Sequence, residues 1–379
     1  TIGSGNSKSN EALTVATADV VSGNLIITNF ASANDTQNNS IVVADKLHAT
    51  GDIKLINDEA NVEIVGSGSA TNLVAANITL QSQYDVIHNG GTITATDKVF
   101  LEADGNILLQ SGAMQTRNLD LLALGYIDEI YDNSVVDPRG YTLKVSDKLE
   151  ALAGGSSDDT YGVDLGSRFN ELHNVVLDSD NGNIIVGNGN KSGAELNVSV
   201  QSGQVVNGNI LITNYQAGAL NDINIQSALR ATGKIKVVNE EQDVNVVSGA
   251  MVDATEVELY AVHDVNNTAS IHSAEQVYLI AVNDINNAAS ITSGKNLILW
   301  SMVGDIKNEG TIQAVERIDM DATKGTVYNL AGITSTSGVV EVLAGESIVN
   351  LGDNESDAIT AKGEVVLDAG EVLINTAKI

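Results

Sequence analysis

Paired carboxyl groups are the residues of this sequence best suited to chemistry on a glycan. Glycosidases hold two carboxyl groups at a defined separation, and Asp158 with Asp159, or Asp319 with Asp321, are such pairs. Because the chain holds 49 Asp and Glu residues, one pair carries little information, and sugar-stacking aromatic residues are only 3% of the chain. A lyase would also need a basic residue, for which Arg139 and Arg168 are the candidates. We assign no catalytic residue.

Metal and phosphate chemistry finds equally weak support. The segment DSDNGN from Asp178 resembles a calcium-binding loop, but its glycine is one position early and no glutamate stands at the twelfth position. The segment GNGNKSG from Gly187 lacks the spacing of a phosphate-binding loop. We expect ordinary turns at both places, with no cofactor other than calcium that the acidic surface could take. The histidines, which we expect to be solvent-exposed, are His48, His88, His173, His263 and His272.

An apolar repeat organises the chain, with a period of roughly 20–21 residues that falls in the range of solenoid repeats. Its clearest copies are HDVNNTASIHSAEQVYLIAV from His263 and NDINNAASITSGKNLILWSM from Asn283. Aliphatic residues at i and i+2 indicate short strands, separated by Gly, Asn, Asp and Ser turns. The apolar columns are Val265, Ile285, Ile306, Val327 and Ile348; Ile271, Ile291, Ile312, Ile333 and Ile359; Val277, Leu297, Ile318, Val340 and Val365; and Leu279, Leu299, Met320, Val342 and Leu367. This pattern predicts an all-β parallel solenoid of about 18 stacked rungs.

Two residue types mark the corners of the repeat. We interpret the glycines before the first column as residues that adopt positive φ at a tight turn; they are Gly304, Gly325, Gly345 and Gly370. Asparagines lie two residues after the first column, at Asn267, Asn287, Asn308, Asn329 and Asn350. Stacked asparagines predict a ladder of amide hydrogen bonds, which we favour over a row of ligand-binding amides.

A longer period, of about half the chain, lies above the rungs. The segment SGNLIITNF from Ser22 returns as NGNILITNY from Asn207, and LHATGDIKLIND from Leu47 returns as LRATGKIKVVNE from Leu229. We therefore predict a tandem duplication, with unit one at residues 1–186 and unit two at 187–379, within one continuous β-helical rod. The irregular region 128–174, which contains the sole proline, is expected to carry enlarged loops.

Charge and composition exclude several function classes. The net charge of −30 disfavours partners with a phosphate backbone, so no nucleic-acid binding is expected. No apolar stretch approaches the 18 or so residues of a membrane span, so no membrane insertion is expected. The absence of cysteine excludes disulfides and thiolate metal sites. Because the chain opens on Thr1 and a polar segment, we expect a processed product or an excised segment.

Several stretches resemble the haemagglutinin repeats of filamentous-haemagglutinin-like exoproteins. They are KNLILWSMVGDIKN, GDIKNEGTIQAVERIDMDA and GTVYNLAGITSTSGVVEVLAGES. The resemblance covers most of the chain and is clearest over residues 255–379. It implies a right-handed parallel β-helix, two-partner secretion through an outer-membrane transporter, and an adhesive or fibrous role. The sequence departs from the family in lacking a counterpart of the secretion domain with its Asn-Pro motif, and in its more acidic rungs.

We therefore predict a non-enzymatic adhesin segment, secreted or on the bacterial cell surface, that attaches to receptors or glycans on host or neighbouring cells. The alternative is a structural subunit of an extracellular filament whose copies stack end to end. A second alternative is a polysaccharide lyase, hydrolase or tailspike-like β-helix.

Overall fold

The computed structural model describes residues 2–4, 12–15, 20–30, 39–66, 72–130, 141–155, 161–191, 195–201, 204–216, 218, 220–352 and 357–379. The chain divides into two compact units, Thr1–Asn190 and Lys191–Ile379. The described strands of the first unit are β1 Ile2–Ser4, β2 Leu13–Val15, β3 Leu25–Asn29, β4 Ile41–Val43, β5 Leu47–His48, β6 Ile53–Asn57, β7 Val62–Val65, β8 Asn72–Ser82, β9 Val86–Ala103, β10 Ile107–Ala123, β11 Ile127–Glu129, β12 Tyr141–Ala153, β13 Tyr161–Leu165, β14 Asn174–Ser179 and β15 Asn183–Asn188.

The described strands of the second unit are β16 Leu196–Val200, β17 Ile210–Asn214, β18 Ile223–Ile225, β19 Ala228–Arg230, β20 Lys234–Asn239, β21 Val244–Val246, β22 Met251–Ala261, β23 Val265–Asn267, β24 Ser270–Ala281, β25 Ile285–Asn287, β26 Ile291–Ser293, β27 Asn296–Ser301, β28 Ile306–Asn308, β29 Ile312–Ala314, β30 Arg317–Ala322, β31 Val327–Asn329, β32 Ile333–Ser335, β33 Val339–Ala344, β34 Ser347–Asn350, β35 Ile359–Ala361, β36 Val365–Ala369 and β37 Val372–Asn375.

The predicted all-β parallel solenoid is confirmed. The strands form a β-solenoid of about 14 turns with rungs of about 22 residues, and the described residues contain no α-helix. The prediction of 18 rungs was too high because rungs of the first unit are longer than the repeat suggests. Leu25 pairs with Ile53, and Met114 pairs with Leu143, so each of these rungs holds several residues more than the repeat read from the second unit.

Each rung of the second unit contributes strands to three parallel sheets. The long sheet contains β17, β20, β22, β24, β27, β30, β33 and β36. The asparagine sheet contains β18, β21, β23, β25, β28, β31, β34 and β37. The third sheet contains β19, β26, β29, β32 and β35, together with the first halves of β22 and β24.

The register of these sheets confirms the predicted apolar columns. Val265, Ile285, Ile306, Val327 and Ile348 pair in succession along the asparagine sheet. The Ile271 and Val277 columns pair in the same way along the third sheet and the long sheet. Side chains alternate between the two faces of a strand, so the aliphatic residues of one face stack inside the solenoid. Their burial supplies most of the stability of the fold.

The corner glycines do not serve the role that the sequence suggested. None of Gly304, Gly325, Gly345 and Gly370 is among the positive-φ glycines of the described residues. A Cβ atom at Gly325 would instead collide with the backbone carbonyl of Gly304 in the preceding rung. Close stacking of backbones, and not a left-handed conformation, therefore explains this glycine.

The predicted duplication has a counterpart in the hydrogen bonds of the two units. In the first unit, Asn29 Nδ2 donates to Asn57 Oδ1 at 3.1 Å, and Asn57 Nδ2 donates to the carbonyl oxygen of Asn61 at 2.8 Å. In the second unit, Asn214 Nδ2 donates to Asn239 Oδ1 at 3.1 Å, and Asn239 Nδ2 donates to the carbonyl oxygen of Asp243 at 2.7 Å. Corresponding residues of the two sequence repeats thus build the same corner.

The irregular region 128–174 is described in part. Its strands β12 and β13 join the stack, and residues 166–173 form an excursion that returns through a parallel bridge between Lys144 and Glu171. Pro138, Arg139, Asp158 and Asp159 lie outside the described residues.

Candidate ligand-binding groove

The predicted asparagine ladder is present, and it lies inside the solenoid. Each Nδ2 donates to the Oδ1 of the next rung at 2.7 Å, in the order Asn267, Asn287, Asn308, Asn329 and Asn350. The ladder continues to Asn375 in β37, at 2.6 Å. All five predicted members are buried, so their amides bond one another and do not face a ligand.

A groove crosses the outer face of the long sheet, in the second unit. Register places Asp321 of β30 between Trp300 of β27 and Leu343 of β33. The neighbouring row places Asp319 between Ile298 and Glu341. Because aspartate is shorter than its neighbours, β30 forms the floor of a groove of about 220 Å³. Its two walls are two strand spacings apart, about 10 Å.

An arginine lies at one end of this groove and is hydrogen-bonded to two carboxylates. Arg317 Nε donates to both carboxylate oxygens of Asp319, at 2.6 and 2.7 Å. Arg317 Nη2 donates to Glu341 Oε2 on the next rung, at 2.5 Å. Charge-assisted contacts of this kind fix the guanidinium in position.

The chain's single tryptophan forms one wall of the groove, across β30 from Leu343. Trp300 is 39% exposed, and its indole Nε1 donates to Thr323 Oγ1 at 2.9 Å. Thr323 Oγ1 in turn donates to Asp321 Oδ1 at 3.2 Å. The Thr323 hydroxyl therefore links the indole ring to the Asp321 carboxylate, so the ring and the floor are held in place before a ligand arrives.

The structure brings together one of the two carboxyl pairs noted in the sequence. Asp319 and Asp321 project from the same face of β30 into the groove. Arg168, the basic residue considered for lyase chemistry, lies in the turn at residues 166–170 of the first unit. The sequence reasoning missed Arg317, Trp300 and Glu341, although a signal existed. These residues occupy outward positions at the same period as the apolar columns.

A second cluster lies at the corner that leads into the asparagine sheet. His263 Nδ1 is 2.7 Å from Asp243 Oδ1 and 3.5 Å from Asp264 Oδ2. The hydrogen bond with Asp243, followed by attraction to the surrounding aspartates, raises the pKa of His263. The three side chains lie close enough to share a metal ion, although exposed acidic groups gather in this way without one. The sequence signal was an aspartate one residue before the first column, at Asp222, Asp243, Asp264, Asp284 and Asp305.

Those aspartates form an external counterpart of the asparagine ladder. The backbone N–H of Asp264 donates to Asp243 Oδ1 at 3.0 Å, and the N–H of Asp284 donates to Asp264 Oδ1 at 2.9 Å. Asp305 repeats the contact with Asp284 Oδ1 at 2.7 Å. The carboxylates therefore connect successive rungs, which is a structural role.

His88 contradicts the expectation that the histidines are exposed. It is fully buried in the first unit, and its Nδ1 hydrogen-bonds the Tyr141 hydroxyl. Desolvation lowers the pKa of His88 to about 4. Glu129, two rungs along the same column, is also buried, and desolvation raises its pKa to about 8. Glu129 Oε2 accepts from Asn170 Nδ2 at 2.9 Å.

The other histidines and the two glycine-rich segments take structural positions. His48 and His173 are partly exposed, and the exposed His272 contacts Asp253 at 2.7 Å. The segment from Asp178 is a turn between β14 and β15, with Gly182 at φ 91°. In the segment from Gly187, Asn188 is buried and its Oδ1 accepts the backbone N–H of Leu172 at 2.9 Å.

Comparison with known proteins does not assign a family. No protein-family model, curated protein or solved structure matches the chain. The described residues also include no helix of the length and hydropathy that would cross a membrane.

Proposed function

We propose that this chain is a non-enzymatic attachment segment of a secreted or bacterial cell-surface fibrous adhesin. The proposal rests on Trp300, which is exposed on the outer face of the long sheet and lines the same groove as Arg317. Tryptophan and arginine are the residue types most enriched among those that dominate binding energy at interfaces.

The scaffold beneath the groove supports this role. Ile318 and Met320 of β30 alternate with Asp319 and Asp321 and are fully buried. Strands whose inner face is packed hold their outer side chains with little freedom, and binding sites built on rigid elements lose less entropy when a partner docks. Secretion through a two-partner route, with an outer-membrane transporter, belongs to the same proposal and rests on the sequence resemblance.

The arrangement favours attachment over glycoside hydrolysis. A glycosidase needs one carboxyl group that gives a proton and a second that attacks or activates water. Both oxygens of Asp319 are engaged by Arg317, which makes Asp319 the anchor of the guanidinium. The groove is also shallow, with walls formed by side chains of single strands.

Attachment and turnover can be measured on the same material. Beads coated with the 379-residue chain should be retained on at least one member of a panel of epithelial cells, bacterial cells and immobilised glycans, above beads coated with an unrelated acidic protein. The same chain should leave polyuronates and host glycans uncleaved. Retention nowhere on the panel, or release of shortened polysaccharide, would contradict the proposal.

A second candidate function is a filament subunit whose copies stack end to end. Successive rungs are joined by parallel strand pairing, as between β34 and β37, and a second copy would continue the stack through the same kind of contact. Sedimentation velocity across a hundredfold range of concentration tests this function. Growth into long species supports stacking, and a concentration-independent monomer excludes it.

A further inference from the structure

The groove beside Trp300 carries more negative than positive charge. Three carboxylates line it, from Asp319, Asp321 and Glu341, and Arg317 is its one cation. That guanidinium already bonds Asp319 and Glu341. Asp321 is the carboxylate on the floor that no cation contacts among the described residues, and it accepts a hydrogen bond from the Thr323 hydroxyl.

We propose that this groove binds an organic ammonium group on an aliphatic stem, the chemistry of a lysine side chain on a basic partner. The inference rests on the proposed attachment function, since it names the chemistry that the attachment face would recognise.

Three interactions converge on such a ligand. The ammonium would lie over the floor and pair with Asp321, a charge-assisted contact of the stronger kind. The face of Trp300 attracts the same cation through its ring quadrupole. The methylene stem would pack along the apolar parts of the walls, where Ile298 and Leu343 are half-buried.

Charge complementarity separates this ligand from the alternatives. Anionic sugars such as uronates and sialic acids would meet three carboxylates and one guanidinium in the groove, on a chain of net charge −30. A neutral sugar could stack on Trp300, but it would leave the Asp321 carboxylate without a counter-charge. An ammonium group can make a cation–π contact with Trp300 and an ion pair with Asp321.

The single tryptophan supplies a direct reporter. The probe is Nα-acetyl-lysine amide, and its matched control is Nα-acetyl-norleucine amide, which has a similar stem without the charge. Titration of the lysine probe should change the fluorescence of Trp300 to saturation, and the norleucine probe should have no effect at the same concentrations. Raising the salt concentration should weaken the lysine titration.

Two variants separate this site from general attraction to an acidic protein. Asp321→Asn should weaken lysine binding at least fivefold. Asp368→Asn removes the same charge from the same outward column, two rungs away, and should change affinity less than twofold. Trp300→Leu, followed by saturation-transfer NMR of the probe, should weaken binding about threefold.

The outcomes distinguish this inference from the function on which it rests. A flat fluorescence titration, equal weakening by Asp321→Asn and Asp368→Asn, or saturation by a neutral sugar in place of lysine would each overturn the ammonium site. If beads attach through Trp300 while the lysine probe fails, the attachment function stands and the inference falls. If the probe binds but beads attach nowhere, the reverse holds.

Discussion

The side-chain amide of Asn287 donates to Oδ1 of Asn308, 2.7 Å away and one rung further along the interior of the asparagine sheet. Asn287 Oδ1 accepts from Asn267 Nδ2 at the same distance. Every internal member therefore donates once and accepts once along the stack. Because an unpaired buried amide is costly, the ladder fixes the register between rungs as well as filling the corner.

Asn287→Ala should destabilise the second unit by about 3 kcal/mol, because it leaves Asn267 Nδ2 and Asn308 Oδ1 without their ladder partners. Its neighbour Asn286 is a matched control, since it belongs to an amide ladder on the outer face, where its Nδ2 donates to Asn266 Oδ1 at 2.9 Å. Asn286→Ala should cost less than about 1 kcal/mol, because water can replace the lost bond. Urea denaturation measures the free energy of unfolding of both variants. Equal losses would mean that the buried ladder contributes no more to stability than the exposed one.

Gly325→Ala should destabilise the fold by about 2 kcal/mol or more, since the new Cβ would meet the carbonyl of Gly304. Gly249 is a control of the opposite kind. Its φ is +90° and no atom lies near the position of a Cβ, so Gly249→Asn, which tolerates this conformation, should cost under about 1 kcal/mol. Thermal unfolding followed by circular dichroism compares them. A Gly325→Ala variant as stable as the parent would refute the stacking explanation.

Glu129 makes stability fall as the pH rises. Its folded pKa of about 8 exceeds the ordinary value of 4.5, so the folded chain holds a proton that the unfolded chain releases. Its contribution is complete below pH 4.5 and is lost through pH 8, by up to about 1.4 kcal/mol per pH unit. Glu129→Gln should flatten this alkaline decline, measured as unfolding free energy from pH 5 to 9. A decline of unchanged slope in the variant would contradict it.

His88 and His263 should titrate in opposite directions from the ordinary pKa of 6.5. Burial lowers the pKa of His88 to about 4, whereas the contact with Asp243 raises that of His263. At pH 6, NMR of the imidazole resonances should find His88 neutral and His263 mostly protonated. Since the unfolded chain takes up a proton that buried His88 does not, the contribution of His88 to stability falls as the pH drops from 6.5 towards 4, and it opposes the contribution of Glu129 in that range.

Asp243→Asn supplies the control for that titration. It removes the carboxylate that holds the His263 proton, so the pKa of His263 should fall towards 6.5 while that of His88 stays unchanged. A shared shift of both histidines would point to a global change of the fold instead.

The fold could be predicted because the buried aliphatic residues recur at a regular spacing in many successive rungs. The column from Val265 to Ile348 recurs at a nearly constant spacing, and parallel stacking is the arrangement that buries such columns. The same spacing, applied to outward positions, would have predicted the groove, since Trp300, Asp321 and Leu343 occupy one outward column. A single aspartate pair carries no such meaning until its neighbours above and below are known.

Other features could not be deduced from spacing. His88 and Glu129 interrupt a column that is otherwise aliphatic at Ile64, Leu109 and Leu165, and a polar residue in a strand ordinarily indicates an outward position. Tyr141, the hydrogen-bond partner of His88, follows residues 131–140, where the sequence period breaks. The prediction for the corner glycines was wrong because glycine composition alone cannot separate positive φ from a close backbone approach.

Attachment through the outer groove beside Trp300 can be tested in one comparison of three proteins. The most direct measurement is the retention of coated beads on a responsive surface for the parent chain, Trp300→Ala and Tyr328→Ala. Tyr328 is an aromatic residue of similar exposure, 38% against 39%, on the asparagine sheet. We expect Trp300→Ala to lose most of the retention and Tyr328→Ala to keep it. Equal retention by all three proteins, with Trp300→Ala folded as judged by circular dichroism, would contradict it.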